Sequence, residues 1–587
     1  MNLTQEQRAV AGHPRGAFVE ACPGAGKTRA IVARVARIAP TLGPSRGVAV
    51  LSFTNSAIDE FAQRCRENAL DVILRFPHFV STFDGFLRHF LFAPGGVDGV
   101  NVKPVVVDSW DTLGIDVRLA GQLAFSGEAP SLDLFNAADN RIDPAAIGMQ
   151  ALRDHVTRNR LAYERAAASR RAALRGRGYF SAADVRVEVV QRFRRNDWSD
   201  AMGRALSARF AEVIVDEGQD CNPLDCDILT WLRNADVPVT VVSDPDQAIY
   251  GFRHDTPADL RLVSDAYAPA DRLSLTGNFR SGPAICAVAA TLRRRTDPDV
   301  SLEDAAHFGE PVRVVAYPGR TATPGIGAFF VAQLRAVGIA PADSLVLAHA
   351  RRNALRVCGS GAEEDVGTSK VARLAAAIGV LWASSTSSRG RERALRVGER
   401  MVLELMGAIA DGEDPVAAAE RRNIDRRWLR RSALALLTGL PRSCANTDAA
   451  RTAWVEGLHG RVRTLGLTYA AGITERRYFQ TRAGATWHRC LSDADPEALT
   501  AATVHEAKGR QYDAVCLVIP PDSQGFTRTE QLVQAWENRV DDEAKRVVYV
   551  GLTRARRLAV LAVPEAVQDR VTRILDAANA DYRAHAL

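Results

Sequence analysis

The sequence predicts an α/β protein made of two parallel-sheet lobes, each carrying a mainly helical insertion. Three observations predict it. Short apolar runs at Ala17–Ala21, Val48–Phe53, Val213–Val215 and Val237–Val242 alternate with helical patterns, and each ends in a polar or glycine-rich turn. A second set with the same rhythm covers Val312–Tyr317, Ser344–Leu347, Ala514–Ile519 and Leu558–Ala562. Strands buried on both faces of a parallel sheet read as such unbroken runs, and ligands gather at their C-terminal ends. Third, two stretches break the rhythm: residues 93–202 and 356–485 turn helical and arginine-rich. The expected division is therefore 1–92 with 203–276 for the first lobe and 277–355 with 486–587 for the second, the two stretches being their insertions.

A chain of 587 residues has room for about four domain-sized units. With 47% hydrophobic and 25% charged residues it is neither disordered nor fibrous. No run approaches the ~18 apolar residues of a membrane span, and the first eight residues lack the apolar core of a secretion signal. The nine cysteines form no Cys-x-x-Cys pair, which argues against a zinc or iron–sulfur site and for a reduced, cytoplasmic protein. A net charge of +6 permits a nucleic-acid partner without demanding one. Lysine is more telling. Only Lys27, Lys103, Lys370, Lys508 and Lys545 occur among a great excess of arginines, so a retained lysine points to a place that needs a compact ammonium.

Lys27 lies in Ala21-Cys22-Pro23-Gly24-Ala25-Gly26-Lys27-Thr28, between an apolar run and the helical pattern of residues 29–38. Glycines let backbone N–H groups turn inward onto a phosphate chain, a helix N-terminus lies behind them, the lysine reaches the β/γ-phosphates and the hydroxyl reaches Mg²⁺. Pro23, Gly24, Ala25, Gly26, Lys27, Thr28 and Arg29 are the expected nucleotide contacts, although Ala21 stands where such loops open with glycine. Downstream, Val213-Ile214-Val215-Asp216-Glu217 is an apolar strand that ends in two carboxylates. Asp216 can join Thr28 on the metal while Glu217 orients and deprotonates the attacking water.

The remaining motifs resemble, in order, those of the UvrD/Rep/PcrA group of superfamily 1 DNA helicases. Leu3-Thr4-Gln5-Glu6-Gln7 is similar to the group's N-terminal glutamine motif, which implies adenine reading by Gln7. Phe53-Thr54-Asn55 and Thr82-Phe83-Asp84-Gly85-Phe86 resemble two DNA-contacting motifs. The stretch from Ser243 to Arg253 resembles the segment that joins phosphate sensing by Gln247 to DNA contact by Tyr250, Phe252 and Arg253. In the second lobe, Asn278-Phe279-Arg280-Ser281 implies that Phe279 stacks on adenine and Arg280 meets the γ-phosphate. The run from Thr503 to Gly509 resembles the coupling motif, with Thr503, His505 and Lys508 toward DNA. The run from Val548 to Arg556 resembles the last motif, with Arg554 as arginine finger. The resemblance implies two RecA-like lobes sharing one ATP and one Mg²⁺. It also implies 3′-to-5′ movement along single-stranded DNA and unwinding of tailed duplex DNA. Three departures stand out: Gly218 replaces an alanine, Gln511 replaces a glutamate that touches the ribose, and Phe279 replaces a tyrosine.

Several features stay open at this level. Arg158, Arg160, Arg165, Arg170, Arg171, Arg175 and Arg177 fit either a DNA-facing edge or a solvated helix face. Arg421, Arg422, Arg426, Arg427, Arg430 and Arg431 fit duplex DNA or a protein partner, with Trp428, Leu429 and Leu434 as anchors. Trp382, Trp428 and Trp454 are expected in the core. The alternative to an autonomous helicase is an ATP-hydrolysing DNA sensor or motor subunit of a larger assembly, partnered by a nuclease or repair factor, as in phage defence.

Overall fold

The computed structural model describes residues 2–587 except 95, 124, 126–128, 250–258, 294–298, 319–321, 360–368, 383–387, 410–414, 446, 468, 470–477, 482–486, 492–498 and 521–527. Six strands form the first sheet: β1 (Phe18–Ala21), β2 (Gly47–Ser52), β3 (Phe79–Thr82), β4 (Phe210–Val215), β5 (Val239–Ser243) and β6 (Arg272–Leu275). Their spatial order is β3-β2-β4-β5-β1-β6, parallel throughout. The second sheet has the same plan: β7 (Val312–Tyr317), β8 (Ser344–Ala348), β9 (Ala501–Thr503), β10 (Tyr512–Val518), β11 (Ala555–Pro564) and β12 (Tyr582–Ala586). Its order is β9-β8-β10-β11-β7-β12, again parallel. The predicted two-sheet α/β architecture is therefore present.

Each sheet separates two cores, because successive side chains of a strand point to opposite faces. On β4, Val213 and Val215 enter the core that holds Phe83, Phe86 and Ile228. Ile214 enters the opposite core with Val19, Ile31 and Val35. On β10, Val515 and Leu517 likewise face one core, and Cys516 and Val518 the other.

Each insertion has a core of its own. One is built on Trp110, Leu132, Phe135, Val156 and Tyr163, the other on Leu374, Val402, Leu437 and Trp454 among others. The helix Ala182–Arg192 returns from the first insertion and joins the lobe instead: Val185 and Val189 lie in the first-lobe core. Arg186 donates to Asp225 at 2.7 Å, and Arg192 donates to the carbonyls of Leu91 (2.7 Å) and Phe92 (2.8 Å). No described helix is long and apolar enough to cross a membrane.

The tryptophan expectation needs correction. Trp454 is buried, but Trp382 and Trp428 are 37% and 36% exposed, the first beneath the Arg442 guanidinium at 3.3 Å. Helical spacing placed them on a helix face without saying which face meets solvent. Within α3 (Arg426–Thr438), Leu429, Ala433, Leu436 and Leu437 make the inward stripe. Leu434 lies outside it, at 43% exposure, so it does not anchor the helix either.

Candidate active site between the lobes

The site is assembled at the C-terminal ends of β1, β4 and β5, which lie near one another in the first sheet. After β1 the chain turns through Gly24 (φ 76°) and Gly26 (φ 69°) into α2 (Lys27–Ile38). Both glycines are required twice over. They sit in the left-handed region, and an added Cβ would lie 2.5 Å from Asn278 Oδ1 at Gly24 and 2.6 Å from Gln7 Nε2 at Gly26. The first turn of α2 has no side-chain cap, which leaves its N–H groups for an anion.

Gln7, on α1 (Gln5–Gly12), braces this loop. Its amide donates to the Ala25 carbonyl at 3.0 Å and accepts from the Thr4 N–H at 3.2 Å, and the residue is 1% exposed. From the boundary of the second lobe, the Phe279 N–H donates to the Gly24 carbonyl at 2.8 Å. Asn278 Oδ1 caps the Arg280 and Ser281 N–H groups at 2.8 and 3.0 Å, and the Arg29 guanidinium lies 5.6 Å from the Phe279 ring centre. Pro23 and Ala25 are buried beneath the loop, while Thr28 and Arg29 are half-buried at its exit.

Beyond β4, Asp216 is buried and Glu217 adopts φ 57°, a left-handed conformation that a non-glycine residue rarely takes. Lys27 Nζ lies 3.1 Å from Glu217 Oε1. Burial pushes the Asp216 carboxyl up, and the Glu217 charge adds to the shift against the opposing Lys27. Burial acts on Glu217 in the same sense, yet Lys27 and Lys508 outweigh it and hold that carboxyl well below its ordinary range. Burial would lower the Lys27 ammonium, but Glu217, Asp216 and Asp244 overcome it and raise it.

Across the cleft come the second-lobe arginines. Arg554 follows α4 (Glu543–Leu552), is 2% exposed, and donates to Gln247 Oε1 at 3.2 Å and to the Val550 carbonyl at 2.9 Å. Arg280 donates to the Thr553 carbonyl and to Gln511 Oε1, both at 3.1 Å. Burial pushes Arg554 down to about 9, and the neighbouring Arg280 charge adds to that; burial lowers Arg280 too. Two half-compensated guanidinium groups facing a glycine loop and an ammonium make a receptor for a polyanion.

The donor set also fits a small divalent cation. A buried, electrostatically disfavoured Asp216 carboxylate gains from one, and the Thr28 hydroxyl is a second hard oxygen. Among the described residues no group of three or more His, Cys, Asp or Glu could hold a metal. Mg²⁺ takes few protein oxygens and keeps several waters, so the Asp216 carboxylate and the Thr28 hydroxyl are donors of the kind it would use.

The residues expected to face DNA divide. Thr54 caps the helix Asn55–Glu67 and Thr82 caps Phe83–Phe86, with Asn55 exposed and Phe53 half-buried. Phe83 is corrected: it is fully buried and stacks on Phe53 with ring centres 5.2 Å apart, so it supports Phe53 from within the core. Lys508 is corrected as well. Its side chain is 8% exposed, paired with Asp220 and donating to the Gln247 carbonyl at 3.3 Å, so it joins the lobes. His505 lies 3.0 Å from the Ile249 carbonyl, and Thr503 caps the helix that carries it. Tyr250, Phe252 and Arg253 lie outside the described residues. Sequence reasoning assigned no role to Gln219, Asp244, Asn278 or Tyr549. All four stand inside or beside the quoted motifs, which is the signal that could have found them.

Two parallel-sheet lobes that meet at one glycine loop, with cations supplied from both, define a two-lobed P-loop protein. Within that class the chain is similar to the UvrD/Rep helicases. Residues 3–268 match the family model described as the UvrD/REP helicase N-terminal domain. The chain is 26% identical over 598 residues to the ATP-dependent DNA helicase UvrD2 of Mycobacterium tuberculosis (strain ATCC 25618 / H37Rv), covering 94% of this chain and 77% of the relative. It is 23% identical over 293 residues to the ATP-dependent DNA helicase Rep of Escherichia coli, covering 49% of this chain and 42% of the relative. A shorter likeness, 29% over 175 residues, covers 29% of this chain and 14% of the RecBCD enzyme subunit RecB of Escherichia coli.

Proposed function

We propose that this chain is an ATP-dependent DNA helicase that moves 3′ to 5′ on single-stranded DNA and opens tailed duplexes. The observation that carries the reading is the Arg554–Gln247 contact, which brings a buried second-lobe cation to the first-lobe site of Lys27 and Glu217. In this reading the α2 N-terminus and Lys27 bind the β/γ-phosphates, Thr28 and Asp216 hold Mg²⁺, and Glu217 accepts the proton of the attacking water. The metal supplies charge neutralisation at the phosphate oxygens. Gln247, Arg280 and Arg554 sense the γ-phosphate, Arg554 as the finger. Phe279 stacks on adenine, while Gln7 reads its edge or, as its hydrogen bonds favour, braces the loop. Closure follows from charge: Arg280 and Arg554 are fully compensated only when the phosphate bridges the lobes. In this reading Phe53, Thr54, Asn55, Thr82, Thr503 and His505 meet the DNA, where aromatic stacking holds any base at roughly 1–3 kcal/mol, and the motif resemblance gives Tyr250, Phe252 and Arg253 the same role.

A strand-displacement assay with 3′-tailed, 5′-tailed and blunt duplexes tests this. Opening of the 3′-tailed substrate alone, dependent on hydrolysable ATP, is the expected result. Displacement from the 5′ tail would reverse the polarity. ATP turnover without displacement would favour the second reading, a DNA-stimulated motor subunit working with a partner protein.

That second reading has an observation of its own, because the second insertion leaves Arg422, Arg426, Arg427, Trp428 and Arg431 exposed. Arg430 is spoken for by Glu392 at 2.8 Å. Charge reversal at Arg426, Arg427 and Arg431 is expected to weaken tailed-duplex binding while sparing single-strand-stimulated ATPase. The slope of log affinity against log salt should become shallower by roughly one unit per lost phosphate contact. An unchanged slope would assign this surface to a protein partner.

A further inference from the structure

Gln219 is buried in the loop after β4 and has no role in the reading above. Its Nε2 donates to Glu217 Oε2, and its Oε1 accepts from the Asp244 N–H at 3.0 Å and the Ser243 hydroxyl at 3.4 Å. Lys27 holds the other Glu217 oxygen, so both oxygens of the carboxylate are fixed. The chain continues: Gln247 Nε2 donates to Asp244 Oδ2 at 2.7 Å, and Arg554 donates to Gln247 Oε1. Glu217, Gln219, Asp244, Gln247 and Arg554 thus form one unbroken hydrogen-bonded line across the cleft.

Its chemistry is ordered. Each carboxamide turns its N–H toward an acid and its oxygen toward a donor, which only an amide can do at both ends. Glutamate at 219 would set carboxylate against carboxylate, and alanine would leave both neighbours unanswered. Gly218 permits the close approach: a Cβ there would lie 2.5 Å from Val241 Cγ1 on β5, the strand that leads to Ser243 and Asp244. The left-handed backbone at Glu217 adds a reason for a dedicated restraint, since a residue in that conformation persists only where its surroundings hold it.

We propose that Gln219 is a positioning residue that aims the Glu217 carboxylate and ties its orientation to Arg554 of the closed second lobe. The proposal rests on the reading of Glu217 as base. The test is single-turnover ATP hydrolysis, with nucleotide affinity measured in parallel, on the full chain and on Gln219→Ala, Gln219→Glu, Glu217→Gln and the Gln219→Ala/Glu217→Gln double variant. Gln219→Ala should slow hydrolysis roughly 10–100-fold, the cost of a misplaced catalytic group, with nucleotide affinity unchanged. Gln219→Glu should fall at least as far. The double variant should be no slower than Glu217→Gln alone, because a residue acting through Glu217 has nothing left to position. A wild-type rate in Gln219→Ala, or a further fall of the same factor in the double variant, overturns the proposal. If Gln219→Ala fails to fold or bind nucleotide, Gln219→Glu decides: a wild-type rate there overturns it and a slow rate with intact affinity supports it. Undiminished turnover in Glu217→Gln alone would instead overturn the base reading.

Discussion

Glu217→Gln is expected to bind ATP and single-stranded DNA as the parent does while turnover falls about 10²–10⁴-fold, the usual contribution of a positioned general base. The substitution keeps the shape of the side chain and removes its charge. The Asp216 carboxyl, which the Glu217 charge helps to raise, then ionises more readily, so metal binding is preserved or improved. Lys27 loses its nearest carboxylate but keeps Asp216 and Asp244 close by, so the phosphate-binding ammonium stays charged. The protein should therefore accumulate with ATP intact and closed around it. Nucleotide titration and single-turnover chemistry on one preparation check both halves. Turnover equal to the parent's would place the base elsewhere, and lost nucleotide affinity would make Glu217 chiefly a partner of Lys27.

What could be read from the sequence follows burial. Every strand predicted from an apolar run lies inside a sheet, where both faces are covered and an unbroken run results. Within the two six-stranded sheets, the four strands without a prediction are the edges: β3, β6, β9 and β12. β12 has only half-buried and exposed residues and β6 has one buried residue, so neither carries an apolar run. The edge strands β3 and β9 nevertheless end at Thr82 and Thr503, and were visible only through the motifs that follow them.

The glycine loop and the acidic pair were legible as local structure, because few residue types fit a left-handed turn before a helix or a buried strand that ends in two acids. Phe83 and Lys508 were misread for the opposite reason. An aromatic beside a DNA motif can be the support under the contact, as Phe83 is under Phe53. A lysine in a coupling motif can find its anion on the other lobe, as Lys508 does at Asp220. Spacing shows which residues are neighbours along the chain and is silent on which lobe a side chain crosses to.

Arg554→Met should separate catalysis from stability. Hydrolysis is expected to fall about 10³–10⁵-fold, the worth of an arginine that meets charge developing on the transferred phosphoryl group. Lysine should not restore it, because Arg554 uses Nε on the Val550 carbonyl and Nη2 on Gln247, a fork that a single ammonium cannot span. The nucleotide-free protein should melt within a few degrees of the parent or slightly higher. Arg554 stays cationic at neutral pH although burial and Arg280 have pushed it down to about 9. A base whose folded value is depressed binds fewer protons folded than unfolded between the two values, so stability rises with pH there, and the full penalty is present below about 9. Methionine removes that penalty at pH 7 while keeping the apolar stem; the lost bonds to Val550 and Gln247 act in the other direction. The decisive measurement is the rise in melting temperature on adding a non-hydrolysable ATP analogue with Mg²⁺. That rise should shrink in Arg554→Met, because the phosphate no longer gains a cation from the second lobe. A steep loss of nucleotide-free stability with hydrolysis intact would instead make Arg554 a structural pin for the turn after α4.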